Sequence, residues 1–300
     1  MQRPLSALVE LGLSLRAAGY SFVTPTPATH AIVNSRADNE IGRSLTDIFG
    51  WSRPFYRGGV SPDLLALLEH ADALEMHDGF LKSRVRFASL GDLLLVHSAF
   101  PTIERESVFF GPDTYRFARL LNGVTVSGRV VEIGCGTGAG GLLVGRKADV
   151  ELILTDINER ALAYTQVNVV LNGKPNAQIF YSDILVDVEG PLDLVIANPP
   201  YLCDGPTYRN GGTLGIDIAL RIVNQSLAKL RPNGRLILYT GTPVVAGADA
   251  FRAAVLPMLG DNPFTYDEID PDLFGDELQK APYAHTDRIA AVALSVTKRT

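Results

Sequence analysis

The spacing of apolar positions changes rhythm along the chain. Residues 3–19 carry Leu5, Leu8, Val9, Leu11, Leu13 and Leu15, dense enough for a mostly buried helix. A second helical stretch is predicted over residues 39–49. A third starts after Ser61, a good N-cap, with Pro62 at the first helical position and Asp63 in the first turn. Leu64, Leu65, Leu67 and Leu68 supply its buried face. The period then drops to two. Asp78-Gly79 and Gly91-Asp92 are hairpin-turn signals, and the alternation between them places Lys82, Arg84 and Arg86 on one strand face. A small antiparallel meander is expected there. After residue 127 strand-like runs (129–133, 151–155, 178–181, 192–197, 235–239) alternate with helical patterns near 140–147, 158–171, 216–230 and 248–259. That alternation predicts a parallel sheet covered by helices on both faces, because parallel neighbours need long crossovers. Residues 264–269 and 288–297 have no helical pattern between them, so an antiparallel edge pair is expected to finish a seven-stranded sheet.

Composition narrows the partners. The chain has 300 residues, room for two modest domains, and the boundary is expected near residue 108. Net charge is −6, which argues against affinity built on a phosphate backbone. Residues 1–127 carry −1 and the remainder −5, so neither part is a polyanion binder by bulk charge. Cys135 and Cys203 make no disulfide framework, and no Cys/His cluster has metal-ligand spacing, so no metal is expected. No apolar run suggests a membrane partner, and a reducing cytoplasm is the expected location. The oligomeric state is not legible.

The densest chemical signal is Glu132-Ile133-Gly134-Cys135-Gly136-Thr137-Gly138, directly after a strand-like run. Alternating glycines suit a turn that needs unusual backbone angles and lets a ligand approach the amides, and the start of the next helix favours an anion. A plain tight turn is the bland alternative. The spacing is not the dinucleotide G-x-G-x-x-G. It resembles motif I of class I S-adenosylmethionine-dependent methyltransferases, whose sheet is Rossmann-like. The resemblance implies S-adenosylmethionine as cofactor, with Glu132, Gly134, Cys135, Gly136, Thr137 and Gly138 around its methionyl and ribose portions. It further implies Asp156 with Ile157 at the ribose, and Asp183 with Ile184 near the adenine. Each acidic residue also has a purely structural reading, Asp156 as a cap and Asp183 as turn chemistry.

Asn198-Pro199-Pro200-Tyr201 follows the fourth strand-like run, and two prolines there force the strand to end. The tetrapeptide resembles the N-P-P-Y motif of methyltransferases acting on a planar nitrogen, either a glutamine amide or an adenine amine. Such a nitrogen is a poor nucleophile. Carbonyls of Asn198 and Pro199 accepting its hydrogens, with Tyr201 as a flat support, supply orientation rather than acid–base catalysis. Asn198 is placed beside both cofactor and acceptor. Residues 108–114 and 211–217 resemble segments of release-factor glutamine methyltransferases, while Asn168 and Asn172-Gly173 are shared with related rRNA methyltransferases. The resemblance covers residues 109–241. Leu214 stands where an acidic residue is commoner, and Tyr239-Thr240-Gly241 replaces Glu-x-Gly.

Residues 1–108 match no motif; their helices and meander resemble a winged-helix module and are expected to recognise substrate. Three functions follow. Methylation of a protein glutamine, as in a translation release factor, is favoured. N6-methylation of RNA or DNA adenine is the alternative, and a non-catalytic cofactor-binding module is third. A basic strand face at residues 82–86 is either an RNA contact or a solvated hairpin face, with the second favoured. Phe109, Phe110 and Tyr115 either line the acceptor entrance or pack the domain interface. His285 is assigned no role.

Overall fold

A computed structural model describes residues 3–146, 149–203, 205 and 209–300. The chain opens with α1 (Arg3–Ala17), α2 (Pro27–Asn34), α3 (Leu45–Phe49) and α4 (Pro62–His70), then two hairpins, β1 (Leu74–His77) with β2 (Phe80–Ser83) and β3 (Val85–Leu90) with β4 (Leu93–Ser98). The helix expected over residues 39–49 is shorter, since a 3-10 turn holds Ala37–Asn39 and α3 begins only at Leu45. A capping box sets that start: Ser44 Oγ accepts from Asp47 N at 3.2 Å and Asp47 Oδ2 accepts from Ser44 N at 3.0 Å. α2 has no counterpart among the predicted helices, although Thr26 caps it and Pro27 opens it.

The single meander does not form. β2 runs into β3 through Arg84 without a turn, and the two hairpins are separate two-stranded sheets. Ser83 is buried at the bend and its Oγ accepts from Val85 N at 3.2 Å, while Arg84 marks the change of partner, its N donating to Ala73 O at 2.8 Å on the β1 side and its O accepting from Ala99 N at 3.0 Å on the β4 side. Beyond the bend both faces of β3 are covered. The basic face therefore breaks up. Arg84 is exposed and pairs with Asp72 and Glu75, Lys82 lies over Glu75, and Arg86 is only 3% exposed. Arg86 Nε donates to Ser98 O at 3.3 Å, and its Nη1 lies 3.4 Å from His30 Nδ1.

The rest alternates as expected: α5 (Pro112–Leu121), β5 (Gly128–Ile133), α6 (Ala139–Val144), β6 (Val150–Asp156), α7 (Glu159–Leu171), β7 (Gln178–Tyr181), β8 (Leu192–Ala197), α8 (Asp217–Lys229), β9 (Leu230–Val245), β10 (Ala248–Asp249), α9 (Ala250–Leu259), β11 (Phe264–Asp270) and β12 (Arg288–Thr297). Lys147, at the predicted end of α6, lies outside the described residues. The main sheet runs β11-β12-β9-β8-β5-β6-β7, with β10 a short addition to β9. Strands β7, β6, β5, β8 and β9 are parallel, and β12 joins β9 antiparallel, as does β11 to β12. Separate apolar clusters bury the two faces of this sheet. Strand order reverses at β5, between β6 and β8, which opens a crevice at the strands' C-terminal ends. The first hundred residues form a third cluster whose members include Val167 and Leu171 of α7. Their contact is tight: a Cβ at Gly12 would meet Leu171 Cδ2 at 2.6 Å.

Candidate active site

A cavity of 1400 Å³ fills the crevice and reaches the segments before α2 and α5. Its floor is the turn between β5 and α6. Gly134, Gly136 and Gly138 have φ of +61°, +55° and +74°, which explains three glycines at alternate positions. At Gly134 and Gly136 an added Cβ would meet nothing within 4 Å, so the absent side chains leave open space along the turn. Glu132 holds the other side. Its carboxylate is buried, with Oε1 accepting from Gly140 N at 3.1 Å and Oε2 from Gly141 N at 2.8 Å. Burial pushes its pKa up to about 8 despite those two amides. Both its oxygens therefore fasten the first turn of α6.

Asp156 closes β6 and ties the two motifs together. Its Oδ2 accepts from Gly136 N and its Oδ1 from Asn158 N, both at 2.9 Å. Burial raises its pKa. Beside it the Ile157 side chain is 61% exposed, an apolar surface presented to the cavity. Asp183 and Ile184 also line the cavity; Asp183 pairs with Arg221 at 2.6 Å, and Ile184 is buried with φ +60°. Cys135 is buried, its Sγ 3.4 Å from Thr165 Oγ1, and burial pushes its thiol pKa well up, so it is no nucleophile. An open glycine cradle, a carboxylate at the end of the next strand and an exposed isoleucine fit the ammonium, ribose and adenine of S-adenosylmethionine.

The opposite wall is Asn198-Pro199-Pro200-Tyr201. Asn198 is half-buried at the end of β8, lines the cavity and makes no side-chain hydrogen bond among the described residues. Tyr201 is fastened more firmly than a free stacking platform. Its hydroxyl donates to Asp113 Oδ2 at 2.5 Å, while the Tyr239 hydroxyl takes Oδ1 at 2.9 Å. Burial, then Asp113, raise the Tyr201 pKa well above its ordinary value. Arg116 completes the network, 3.1 Å from Asp113 and 2.9 Å from Asp270. Gly241 is explained here, because a Cβ on it would lie 2.1 Å from Tyr201 Cδ2.

Several site residues come from segments without motif character. Tyr239, in the atypical Tyr239-Thr240-Gly241, holds Asp113. Between β11 and β12, Phe274 adopts φ +52° and lies 6.1 Å from the Tyr201 ring. Glu277 accepts from Arg209 at 2.7 Å, and the Tyr283 hydroxyl accepts from Cys203 N at 2.8 Å. This wall reads as a loop in the sequence, and its aromatic content is the only signal. Phe109 lines the cavity, whereas Phe110 and Tyr115 pack between the two parts of the chain, Tyr115 bonding Ser89 O. His285 is exposed. Among the described residues no cluster of three His, Cys, Asp or Glu has metal-binding geometry, and no helix is long and apolar enough to cross a membrane.

Known proteins are similar to this chain in sequence and in fold. Residues 117–244 match the family model of the methyltransferase small domain. A ribosomal RNA small subunit methyltransferase C from Shewanella loihica is 35% identical over 111 residues, 37% of this chain and 30% of its own length. A release factor glutamine methyltransferase from Borreliella burgdorferi is 32% identical over 124 residues, 37% of this chain and 43% of its own. The chain thus spans less than half the length of these curated relatives. Among solved structures, a tRNA m1G37 methyltransferase from M. jannaschii superposes with a TM-score of 0.50 at 16% identity, covering 73% of this chain and 60% of that one. A second M. jannaschii protein, TYW2 in complex with AdoMet, gives 0.50 at 12% identity, covering 76% and 93%. These two likenesses establish the fold. Fold, motif order and family model converge: residues 117–244 resemble the methyltransferase small domain, and the sheet has the Rossmann-like fold of S-adenosylmethionine-dependent methyltransferases.

Proposed function

We propose that the chain transfers a methyl group from S-adenosylmethionine to the side-chain amide nitrogen of a protein glutamine, as in a translation release factor. Residues 109–300 are the catalytic domain in this reading and residues 1–108 recognise the acceptor. The observation that carries transfer to a planar nitrogen is Asn198, whose side-chain amide makes no hydrogen bond among the described residues and lines the cavity with the glycine cradle. The Asn198 Oδ1 and the Pro199 carbonyl accept the two N–H groups of the acceptor and draw its nitrogen toward a pyramidal geometry. The cofactor supplies an electrophilic methyl on a positively charged sulfur. A nitrogen–carbon bond forms as the sulfur–carbon bond breaks, and the proton leaves once the nitrogen is cationic. No general base is needed before transfer, so Asn198, Pro199, Pro200 and Tyr201 act by position and by electrostatics. Tyr201, anchored on Asp113, keeps the Pro-Pro turn in place. On the cofactor side, the glycine turn, Cys135 and Thr137 surround the methionyl group, Asp156 and Ile157 the ribose, and Asp183 with Ile184 the adenine. Glu132 acts one step behind them, holding α6.

Charge supports a protein acceptor over a nucleic acid. The basic strand face that an RNA would need is dispersed by the bend at Arg84 and the burial of Arg86. Nine carboxylate residues and four arginines line the cavity among the described residues, which suits a cationic cofactor and repels phosphate. The relatives include both a ribosomal RNA methyltransferase and a release factor glutamine methyltransferase, so charge rather than similarity favours the protein acceptor. The test uses methyl-labelled cofactor, the protein and a cell lysate. Label should survive nuclease, be lost to protease, and be released as methylamine on acid hydrolysis, the signature of a methylated amide. Label lost to ribonuclease or deoxyribonuclease would replace this reading with a base-amine methyltransferase.

A further inference from the structure

The two parts of the molecule share α7, and two of its residues reach the same strand of the N-terminal part. Asn168 and Asn172 lie one helical turn apart and both face β4. On one side β4 pairs with β3; toward α7 it presents its other edge. The asparagine amides occupy that edge as a neighbouring strand would. Asn172 Oδ1 accepts from Leu94 N at 3.1 Å and its Nδ2 donates to Leu94 O at 2.9 Å. Two residues along, Asn168 Oδ1 accepts from Val96 N at 2.7 Å and its Nδ2 donates to Val96 O at 3.1 Å. A backbone N–H can only donate, so the orientation of each side-chain amide is determined.

One bond separates the pair. The Asn168 Nδ2 also donates to Thr137 O at 3.0 Å, inside the glycine turn of the cofactor site. The corresponding group of Asn172 turns back to Asn168 O at 2.8 Å, and its Oδ1 takes Arg16 of α1 at 2.8 Å. Thr165, one turn before Asn168, donates to Gly136 O at 3.0 Å, so α7 holds two consecutive carbonyls of the turn. Asn168 is fully buried. A single dry amide thus joins the edge of the β3–β4 hairpin to the turn that cradles the cofactor.

We propose that Asn168 is a positioning residue that couples the N-terminal part to cofactor binding, so that ordering either one favours the other. The proposal rests on the methyltransferase reading for the identity of the cofactor and extends it to regulation between two parts of the chain. Coupling of this kind is reciprocal: if the β4 edge helps to hold the turn, the bound cofactor must steady the β4 edge to the same degree.

The experiment uses the full chain with S-adenosylmethionine, first in the wild type. Amide exchange should slow on adding cofactor at Val96, whose N–H rests on Asn168, by about fivefold more than at Leu94, whose N–H rests on Asn172. Titration calorimetry then compares Asn168→Ala with Asn172→Ala. Removing the Asn168 amide should weaken cofactor binding about tenfold, because the Thr137 carbonyl loses its buried donor, while Asn172→Ala stays within about twofold of the wild type. Equal protection of Val96 and Leu94, or equal losses of affinity in the two variants, would overturn the coupling. The exchange comparison needs no variant, so it decides the matter even where Asn168→Ala does not fold. A wild type that binds no S-adenosylmethionine would sink the methyltransferase reading itself, an outcome distinct from cofactor binding without preferential protection of Val96.

Discussion

The cavity wall proposed to hold the cofactor and the wall proposed to hold the acceptor are built by different rules. On the cofactor side the contacts are close in sequence: Glu132 reaches amides eight and nine residues away, and Asp156 reaches Gly136 twenty residues away. A strand, a turn and a helix that follow one another place these groups automatically. On the acceptor side Tyr201 meets Asp113 across 88 residues, Cys203 meets Tyr283 across 80, and Arg209 meets Glu277 across 68. Those groups meet only after the sheet has closed. The difference teaches that a binding turn can be specified locally, whereas a specificity wall is a property of the assembled fold.

Perturbing each wall separately sharpens that contrast. The largest effect is expected at the turn: Gly136→Val puts a branched side chain at φ +55° into the cradle and should abolish cofactor binding by calorimetry while the chain still folds. Asn198→Ala should leave cofactor affinity within about twofold of the wild type and lower kcat about 100-fold or more, because only the developing charge on the acceptor loses its partner. Should affinity and rate fall together, the two walls are not separable. Gly241→Ala forces the Tyr201 ring aside, so stability should drop by about 1–3 kcal/mol in denaturant unfolding, with the loss of activity falling on the acceptor side. An unchanged KM for acceptor in that variant would break the assignment of Tyr201 to that wall. The smallest effect concerns Glu132. Its folded pKa of about 8 lies above its unfolded value, so its contribution to stability is complete at acid pH and is lost as pH rises toward 8. Melting temperatures of Glu132→Gln and wild type should therefore diverge in favour of the variant between about pH 5 and 8.

Legibility follows the same division. The strands of the main sheet come out close to their predicted spans except β9, which runs from Leu230 to Val245 where only 235–239 is predicted; alternation of apolar runs with helical periods is a local property of the chain. The first hundred residues were harder. Short elements there depend on caps and bends: Ser44 cuts one helix short, and Ser83 with Arg84 splits the meander, where simple alternation predicts continuity. Arg86 illustrates the point most plainly. Alternation placed it on a solvated face, yet β3 is covered on both sides, and nothing local announces a second layer.

By itself the sequence determined the alternating architecture, the glycine turn with its carboxylate partners, and the Asn-Pro-Pro-Tyr turn that ends β8. Each is a short stretch whose backbone demands, from left-handed glycines to paired prolines, few residue types can meet. Only the tertiary structure decided that Tyr201 is held by Asp113 and Tyr239, that the basic face is dispersed, and that Asn168 bridges β4 to the cofactor turn. The physical reason is that the partner of a buried polar group is set by which surfaces the fold brings together, and no period in the chain encodes it.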